Sequence, residues 1–444
     1  MNLVLGVALV LGLMIMIHEW GHFIAARWFG VRVDVFSIGF GPRLFGWKRG
    51  TTDYRISALP FGGYVRMAGQ DPSDVDSAEK PPSGSPDELM SKPRWQRAVI
   101  SFAGPAVNLI FPIILLTGLF VAVGIPYPAY SDLPAQVVFL PASSVAEGNP
   151  LQPGDKIVEL NGVRNPTWEQ AQKAIRQTPP GGTLQLRVEN AGKERDVVVT
   201  LKDMTQGDRL LGYPPLRPVL DEVAPGTPAE RAGLKEGDVL RAADGQKIDY
   251  WGQFVERVRG CNGKPVQLAI ERHGQISHLV VTPQQGVTES GEKIYQVGVA
   301  VRDATKYRRA GLGEGMRDAL AWTGDKIHET ISVVGKLFTG RVSVKQLQGA
   351  VGISRTAGEA VRRGPLAVVL LMALISVNLG VMNLLPIPIL DGGNILLLAI
   401  EGAMRRDLSL TFKERFVQVG FVFLLALFAY VMYNDVVRLL PIHS

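Results

Sequence analysis

The sequence predicts a polytopic α-helical membrane protein, with four transmembrane helices and two small β-rich domains inserted in its middle. Two observations carry this. Four apolar stretches stand out, Leu3–Ile17, Ala98–Ile125, Gly364–Leu390 and Phe416–Asn434, and the last three contain no Asp, Glu, Lys or Arg. The region between the second and third, about Tyr127 to Arg309, contains an internal repeat. A bilayer core needs about 20 residues of helix, which stretches two to four supply outright.

The first stretch reaches that length only if it continues through His18, Glu19 and His22 to about Ala26. Three titratable groups then lie inside the span. A cleaved signal peptide is the competing reading, but the segment has no basic region before Leu3 and no small-x-small cleavage site after it. Next, "TTDYRISALPFGGYVRM" (Thr51–Met67) alternates like a strand on both sides of Pro60-Phe61-Gly62-Gly63. It reads as a hairpin or re-entrant β element whose edge pairs with an extended substrate, with Tyr54, Ile56, Gly62 and Gly63 as candidate contacts. A cytoplasmic hairpin without that role is the alternative, since lipid excludes unsatisfied backbone unless it pairs or lines a cavity. Gly69–Pro93 is polar and rich in Pro and Ser, and predicts a mobile cytoplasmic loop.

In the middle region, "LQPGDKIVELNGVRNPTWEQ" (Leu151–Gln170) aligns with "LKEGDVLRAADGQKIDYWGQ" (Leu234–Gln253) at an offset of 83. Gly154/Gly237, Asp155/Asp238, Trp168/Trp251 and Gln170/Gln253 are among the matches. "LQLRVE" (Leu184–Glu189) answers "VQLAIE" (Val266–Glu271) one deletion later. Short alternating runs, Gly-Asp and Asn/Asp-Gly turns and one helical stretch per copy describe two small β domains. "AERAGLKEGDVL" (Ala229–Leu240) resembles the PDZ domains of bacterial envelope proteases. The first copy, "AEGNPLQPGDKI", replaces Ala-Gly with Asn-Pro. By that resemblance the pair captures extended peptides, peptide C-termini included, at a sheet edge; the competing reading makes them spacers or size filters.

Met316 to Gly349 carries Ile327, Ile331, Val334 and Phe338 at helical spacing, and predicts an amphipathic helix along the outer membrane face. The third span ends in "NLLPIPILDGGN" (Asn383–Asn394), where Pro386 and Pro388 open the helix and free backbone groups. Basic residues set the orientation. Arg27, Arg32, Arg43, Lys48 and others follow span one, and Arg405, Arg406, Lys413 and Arg415 follow span three, so both loops read as cytoplasmic. Arg362 and Arg363 lie on the opposite side. The N-terminus, the β-rich pair and the C-terminus are then external. The net charge of +6 requires no nucleic-acid partner, because basic loops sit against anionic lipid. Cys261 is the one cysteine and excludes an intrachain disulfide.

His18 and His22 are four apart, so on a helix they share a face and can hold one metal through imidazole, with Glu19 beside them to take a proton from water. The five-residue pattern alone is common on solvated helices. Within a span, however, ionisable groups cost a few kcal/mol and face a protein interior or a cavity, and ligation offsets that cost. A catalytic zinc site wants a third protein ligand and an open position. Asp391 is the first charged residue after span three. Spans one and three both run inward, so Asp391 reaches the membrane face that His18 and His22 reach. An ordinary Asp-Gly turn at the membrane surface is the alternative for that residue.

"HEWGH", "SIGFGP" (Ser37–Pro42), "GPAVN" (Gly104–Asn108), both repeat copies and the N-x-x-P-x-P-x-L-D-G pattern from Asn383 to Gly392 together resemble the site-2 protease family, in particular its bacterial tandem-PDZ members that regulate sigma-E. The resemblance covers nearly the whole chain. It implies an intramembrane zinc metalloprotease of the bacterial inner membrane, holding one Zn2+ through His18, His22 and Asp391 toward the cytoplasmic side, with Glu19 as general base and acid. Asn383 would contact substrate or oxyanion. Substrates would be single-span proteins such as an anti-sigma factor, or remnant signal peptides, cut within the membrane. The expected layout is residues 1–126 for spans one and two with the β region, 127–213 and 214–305 for the PDZ domains, 306–363 for amphipathic linker helices, and 364–444 for spans three and four. The runner-up function is a membrane-anchored PDZ scaffold or a metal-handling protein without protease activity. Glu19 argues against it, because neither needs a general base beside two ligands.

Overall fold

In the computed structural model the described residues are 2–70, 83–202, 207, 209–224, 226–287, 293–301, 303–339 and 350–439. They form two compact units. One is continuous, Pro126–Arg308; the other combines Met1–Ile125 with Arg309–Ser444.

The discontinuous unit is helical apart from one folded-back sheet. Its first helix, α1 (Asn2–Trp28), carries the His-Glu-x-x-His stretch. Two long strands follow, β1 (Val33–Arg49) and β2 (Thr52–Met67), then α2 (Arg94–Ala122). After the other unit come α3 (Leu312–Phe338), α4 (Ala350–Arg363), α5 (Pro365–Asn383), α6 (Asp391–Met404) and α7 (Leu410–Leu439). Among the described residues, three helical stretches are long and apolar enough to cross a membrane: Arg94–Ala122, Pro365–Asn383 and Thr411–Tyr433. The amphipathic reading of 316–349 falls on α3 up to Phe338, while 340–349 lie outside the described residues.

Small residues bring these helices together. A Cβ on Gly21 of α1 would overlap the Ala103 carbonyl of α2, and one on Gly380 of α5 would stand 2.8 Å from Leu109 Cδ2. Where apolar helices meet in lipid, such close backbone approach supplies the packing that a hydrophobic drive cannot. The Ser376 hydroxyl of α5 donates to the Asn108 carbonyl of α2 at 2.8 Å, locking the second contact.

Sequence alternation finds β2 but misses β1. The first half of β1 alternates buried and half-buried from Val33 to Gly39, the mark of a one-sided strand. Both strands double back, β1 through Gly39 (φ +87°) and Gly41 (φ +86°), β2 through Gly62 (φ +96°). Hence Ser37 pairs with Tyr64 on one side and Arg55 on the other, while Trp47 pairs with Tyr54. The stretch Gly63–Met67 is left as an edge. The loop expected to be mobile is docked in its described part, 83–93. There Glu88, almost fully buried, accepts hydrogen bonds from Ser83 and Gly84, Leu89 N–H donates to Ala68, and Arg32 pairs with Asp87 at 2.8 Å. The composition that predicts mobility says nothing of this buried carboxylate.

The continuous unit contains the repeat as two sheets of identical order. In the first, Val163–Arg164, Lys156–Leu160, Thr183–Asn190 and Lys193–Thr200 lie side by side; in the second, Gln246–Lys247, Val239–Ala243, Val266–Arg272 and Gln275–Val281. A helix, Trp168–Gln177 or Trp251–Gly260, covers each. The matched residues do matched work. Gln170 and Gln253 each accept the backbone N–H three residues back at 3.0 Å, closing the helix N-terminus. Asp155 and Asp238 are both fully buried and accept the backbone N–H of Gln152 (2.7 Å) and Lys235 (2.8 Å). Arginines neutralise them, Arg195 in one copy and Arg272 in the other. Burial opposes the Asp238 charge, yet the Arg272 guanidinium and the Lys235 N–H outweigh it and hold the carboxyl below its ordinary value.

Candidate metal centre

One turn of α1 puts His18 and His22 on the same face, both buried. Asp391 comes to them from the start of α6. The helix before it ends at Asn383, and the turn between carries Ile389 at φ +79°, a conformation that a β-branched side chain rarely adopts. Both glycines after Asp391 are required by packing: a Cβ on Gly392 would overlap the carbonyls of Leu384 and Leu385, and one on Gly393 that of Ile387. The N-terminus of α6 also favours the carboxylate that stands there.

The donor atoms converge. His18 Nε2 and His22 Nε2 are 3.1 Å apart, His18 Nε2 lies 3.1 Å from Asp391 Oδ2, and His22 Nε2 lies 3.4 Å from Asp391 Oδ1. Tetrahedral zinc bonds of about 2.0–2.1 Å place neighbouring ligand atoms about 3.3 Å apart. Two imidazoles and a carboxylate at these separations therefore fit one face of a tetrahedron around zinc, leaving the fourth corner open. Among the described residues this is the group of three or more His, Cys, Asp or Glu side chains placed to hold a metal ion.

Surrounding groups hold the donor side chains. His22 Nδ1–H donates to the Ile100 carbonyl of α2 at 2.8 Å, which directs Nε2 inward. Its ring lies on Gly104, where any Cβ would overlap it. His18 Nδ1 faces two amides, Asn108 Nδ2 at 3.2 Å and Asn383 Nδ2 at 3.5 Å.

A cavity of about 320 Å3 opens on this cluster, and Glu19 and Asn383 line it with the three converging side chains. Its lining also includes Val65, Met67 and Gln70, from the edge of β2 and just beyond. Gly63 is on that edge, and a Cβ there would meet Glu19 Cγ at 3.8 Å; one on Gly62 would meet Ile15 Cδ1 at 3.5 Å. Tyr54 and Ile56 lie elsewhere, on the inner turn of the folded-back sheet. Tyr54 stacks on Trp47 with centroids 5.8 Å apart, and Ile56 is exposed. Sequence reading passed over Val65, Met67 and Asn108. The alternation that marks β2 also marks Val65 and Met67, and Asn108 stood in a quoted motif without a role.

Comparison with known proteins agrees with the geometry. The model of peptidase family M50 matches residues 6–427. The regulator of sigma-E protease RseP of Escherichia coli is 33% identical over 97% of this chain and 97% of its own length. The protease RseP of Yersinia pestis is also 33% identical, with 97% of each chain covered. A Pasteurella multocida protein named as a candidate zinc metalloprotease is 34% identical over 97% of this chain and 98% of its own. A match of this extent, together with a zinc-compatible donor cluster inside apolar helices, places the chain in peptidase family M50: it is a zinc metalloprotease of the membrane.

Proposed function

We propose that the chain hydrolyses peptide bonds within the transmembrane segments of single-span proteins. The observation that carries this reading is the convergence of His18, His22 and Asp391 on a cavity whose walls are apolar helices and one free strand edge. His18, His22 and Asp391 hold the metal. Bound zinc would supply the Lewis acidity that polarises a carbonyl and acidifies water. Glu19 takes the proton of the attacking water and delivers it to the leaving amine. A substrate helix shields its peptide bonds in internal hydrogen bonds, so it must unwind first. The β2 edge from Gly63 to Met67, with Gly62 beside it, offers backbone partners to the extended strand that results, and Asn383 contacts the substrate carbonyl.

Four crossings, with α1 as the first, put the metal cluster toward the cytoplasmic leaflet of a bacterial inner membrane and Pro126–Arg308 outside. The two repeat copies are PDZ domains, 127–213 and 214–305, that exclude substrates with large external domains. The relatives' role as sigma-E regulators suggests an anti-sigma factor as substrate. The test is cleavage of a single-span anti-sigma-like protein by the purified chain in detergent, with the cut mapped by mass spectrometry. Cleavage inside the span, abolished by a chelator and restored by zinc, is expected; cleavage only outside the span contradicts the reading.

A further inference from the structure

Asn108 is fully buried in α2, and its amide is the closer of the two that face His18 Nδ1. Its backbone is fixed, because the Asn108 carbonyl accepts the Ser376 hydroxyl at 2.8 Å and Ser376 is itself fully buried. Its Oδ1 is buried and has no hydrogen-bond partner among the described residues. A buried amide oxygen left unpaired is destabilising, so the surroundings of Oδ1 give the amide no reason to keep that orientation. The oxygen and nitrogen of an amide occupy nearly equal space, and turning the group by half a revolution exchanges them.

The chemistry of His18 then decides between the two orientations. An imidazole that gives its Nε2 lone pair to a metal carries its proton on Nδ1, and that proton needs an acceptor. Ligating histidines obtain one from a carboxylate, a carbonyl or water; His22 has the Ile100 carbonyl, while the hydrogen-bond partners of His18 Nδ1 among the described residues are the two amides. We infer that Asn108 is the positioning residue for His18. Its Oδ1 accepts the Nδ1–H of the ligating imidazole, fixing the tautomer and the ring, and Ser376 holds Asn108 in register. Asn383, longer in its contact and lining the cavity, remains for substrate.

The role is that of an acceptor, and this separates it from packing. Asn108→Leu keeps the shape and removes the acceptor. Asn108→Asp keeps the shape and the acceptor and removes the donor. Zinc affinity of the full chain in detergent is measured by competition with a chromophoric chelator, alongside the visible spectrum of the cobalt-substituted protein, which reports ligand geometry, and the melting temperature without metal. Asn108→Leu is expected to bind zinc about 10–100-fold more weakly, the usual consequence of losing such an outer partner, with an altered cobalt spectrum and a metal-free melting temperature near that of the parent. Asn108→Asp is expected to hold zinc at least as tightly as the parent. Wild-type affinity in Asn108→Leu overturns the inference. So does a loss in Asn108→Asp equal to that in Asn108→Leu, which would make the amide a donor or a mere filler; the Asp variant decides alone if the Leu variant does not fold. The inference rests on His18 as a ligand. His18→Ala is the separate check: undiminished zinc there removes the ligand assignment itself, whatever Asn108 does.

Discussion

Gly104 of α2 lies under the His22 ring, and replacing it by alanine tests how tightly the helices fix that ring. A Cβ at this position would overlap His22 Nε2, the nearest atom, and stand 2.7 Å from Cε1 and 2.8 Å from Cδ2. Ordinary contacts between such atoms begin at about 3.5 Å, so the ring must move by about 1 Å or the helices must part. The ring has little freedom, since its Nδ1–H is held by Ile100 at 2.8 Å and a metal site tolerates ligand shifts of only about 0.2 Å. Overpacking of this kind costs about 1–3 kcal/mol. If that cost falls on metal binding, zinc affinity drops about 5- to 150-fold at 1.4 kcal/mol per decade. Chelator competition on the detergent-solubilised chain measures it. Gly118→Ala is the control, because it lies in the same helix with nothing within 4 Å of the added methyl. Wild-type zinc affinity in Gly104→Ala, with the helix intact, would refute the claim that α1 and α2 meet here closely enough to set the His22 ring.

Three further expectations follow from other parts of the chain. Reporters fused after Gly69 and after Arg406 are expected to behave as cytoplasmic and one after Gly245 as external; the inverse pattern moves the cluster to the other leaflet. Asp238→Asn removes charge-assisted bonds to Arg272 and is expected to destabilise the second repeat copy by about 1.5–3 kcal/mol at neutral pH. Because the folded carboxyl lies below its ordinary value, that stability is present above the usual carboxylate range and is lost as pH falls through the folded value. The parent and the variant should therefore converge in strong acid. Cys261, the one cysteine and buried in that copy's core, reports the unfolding through a thiol-reactive dye, and a pH-independent difference would contradict the assignment. Removal of about 129–302 behind a short flexible bridge is expected to leave zinc binding intact and to permit cleavage of a substrate that keeps its external domain; an unchanged preference for shed substrate ends the size-filter reading.

The readable features were those enforced by strong local physics. Uncharged apolar runs announce the candidate spans α2, α5 and α7, and the repeat is visible because the Gly-Asp turn with its buried carboxylate and the helix-closing Gln both recur at one offset of 83. The helical spacing of His18 and His22 and the inward run expected of the third span are enough to nominate Asp391. The doubling of β1 against both halves of β2 was not legible, because pairing one segment on two sides is a long-range event encoded only in glycines with positive φ. Consequently Tyr54 and Ile56, chosen by alternation within β2, lie away from the cavity, whereas Val65 and Met67 at the free edge line it. Asn108 escaped for a related reason: an asparagine in an apolar helix declares a buried polar contact, but only the crossing of α1 and α2 says with what.

The central claim is that Glu19 performs the proton transfer at a metal held by His18, His22 and Asp391. Its most direct test measures zinc content and cleavage together in the Glu19→Gln variant of the purified chain. The amide keeps the size of the side chain and cannot accept the water proton as a carboxylate does. Stoichiometric zinc with cleavage reduced at least 100-fold is expected, in line with the usual contribution of a general base of about 100- to 10,000-fold. Stoichiometric zinc with undiminished cleavage would contradict the account.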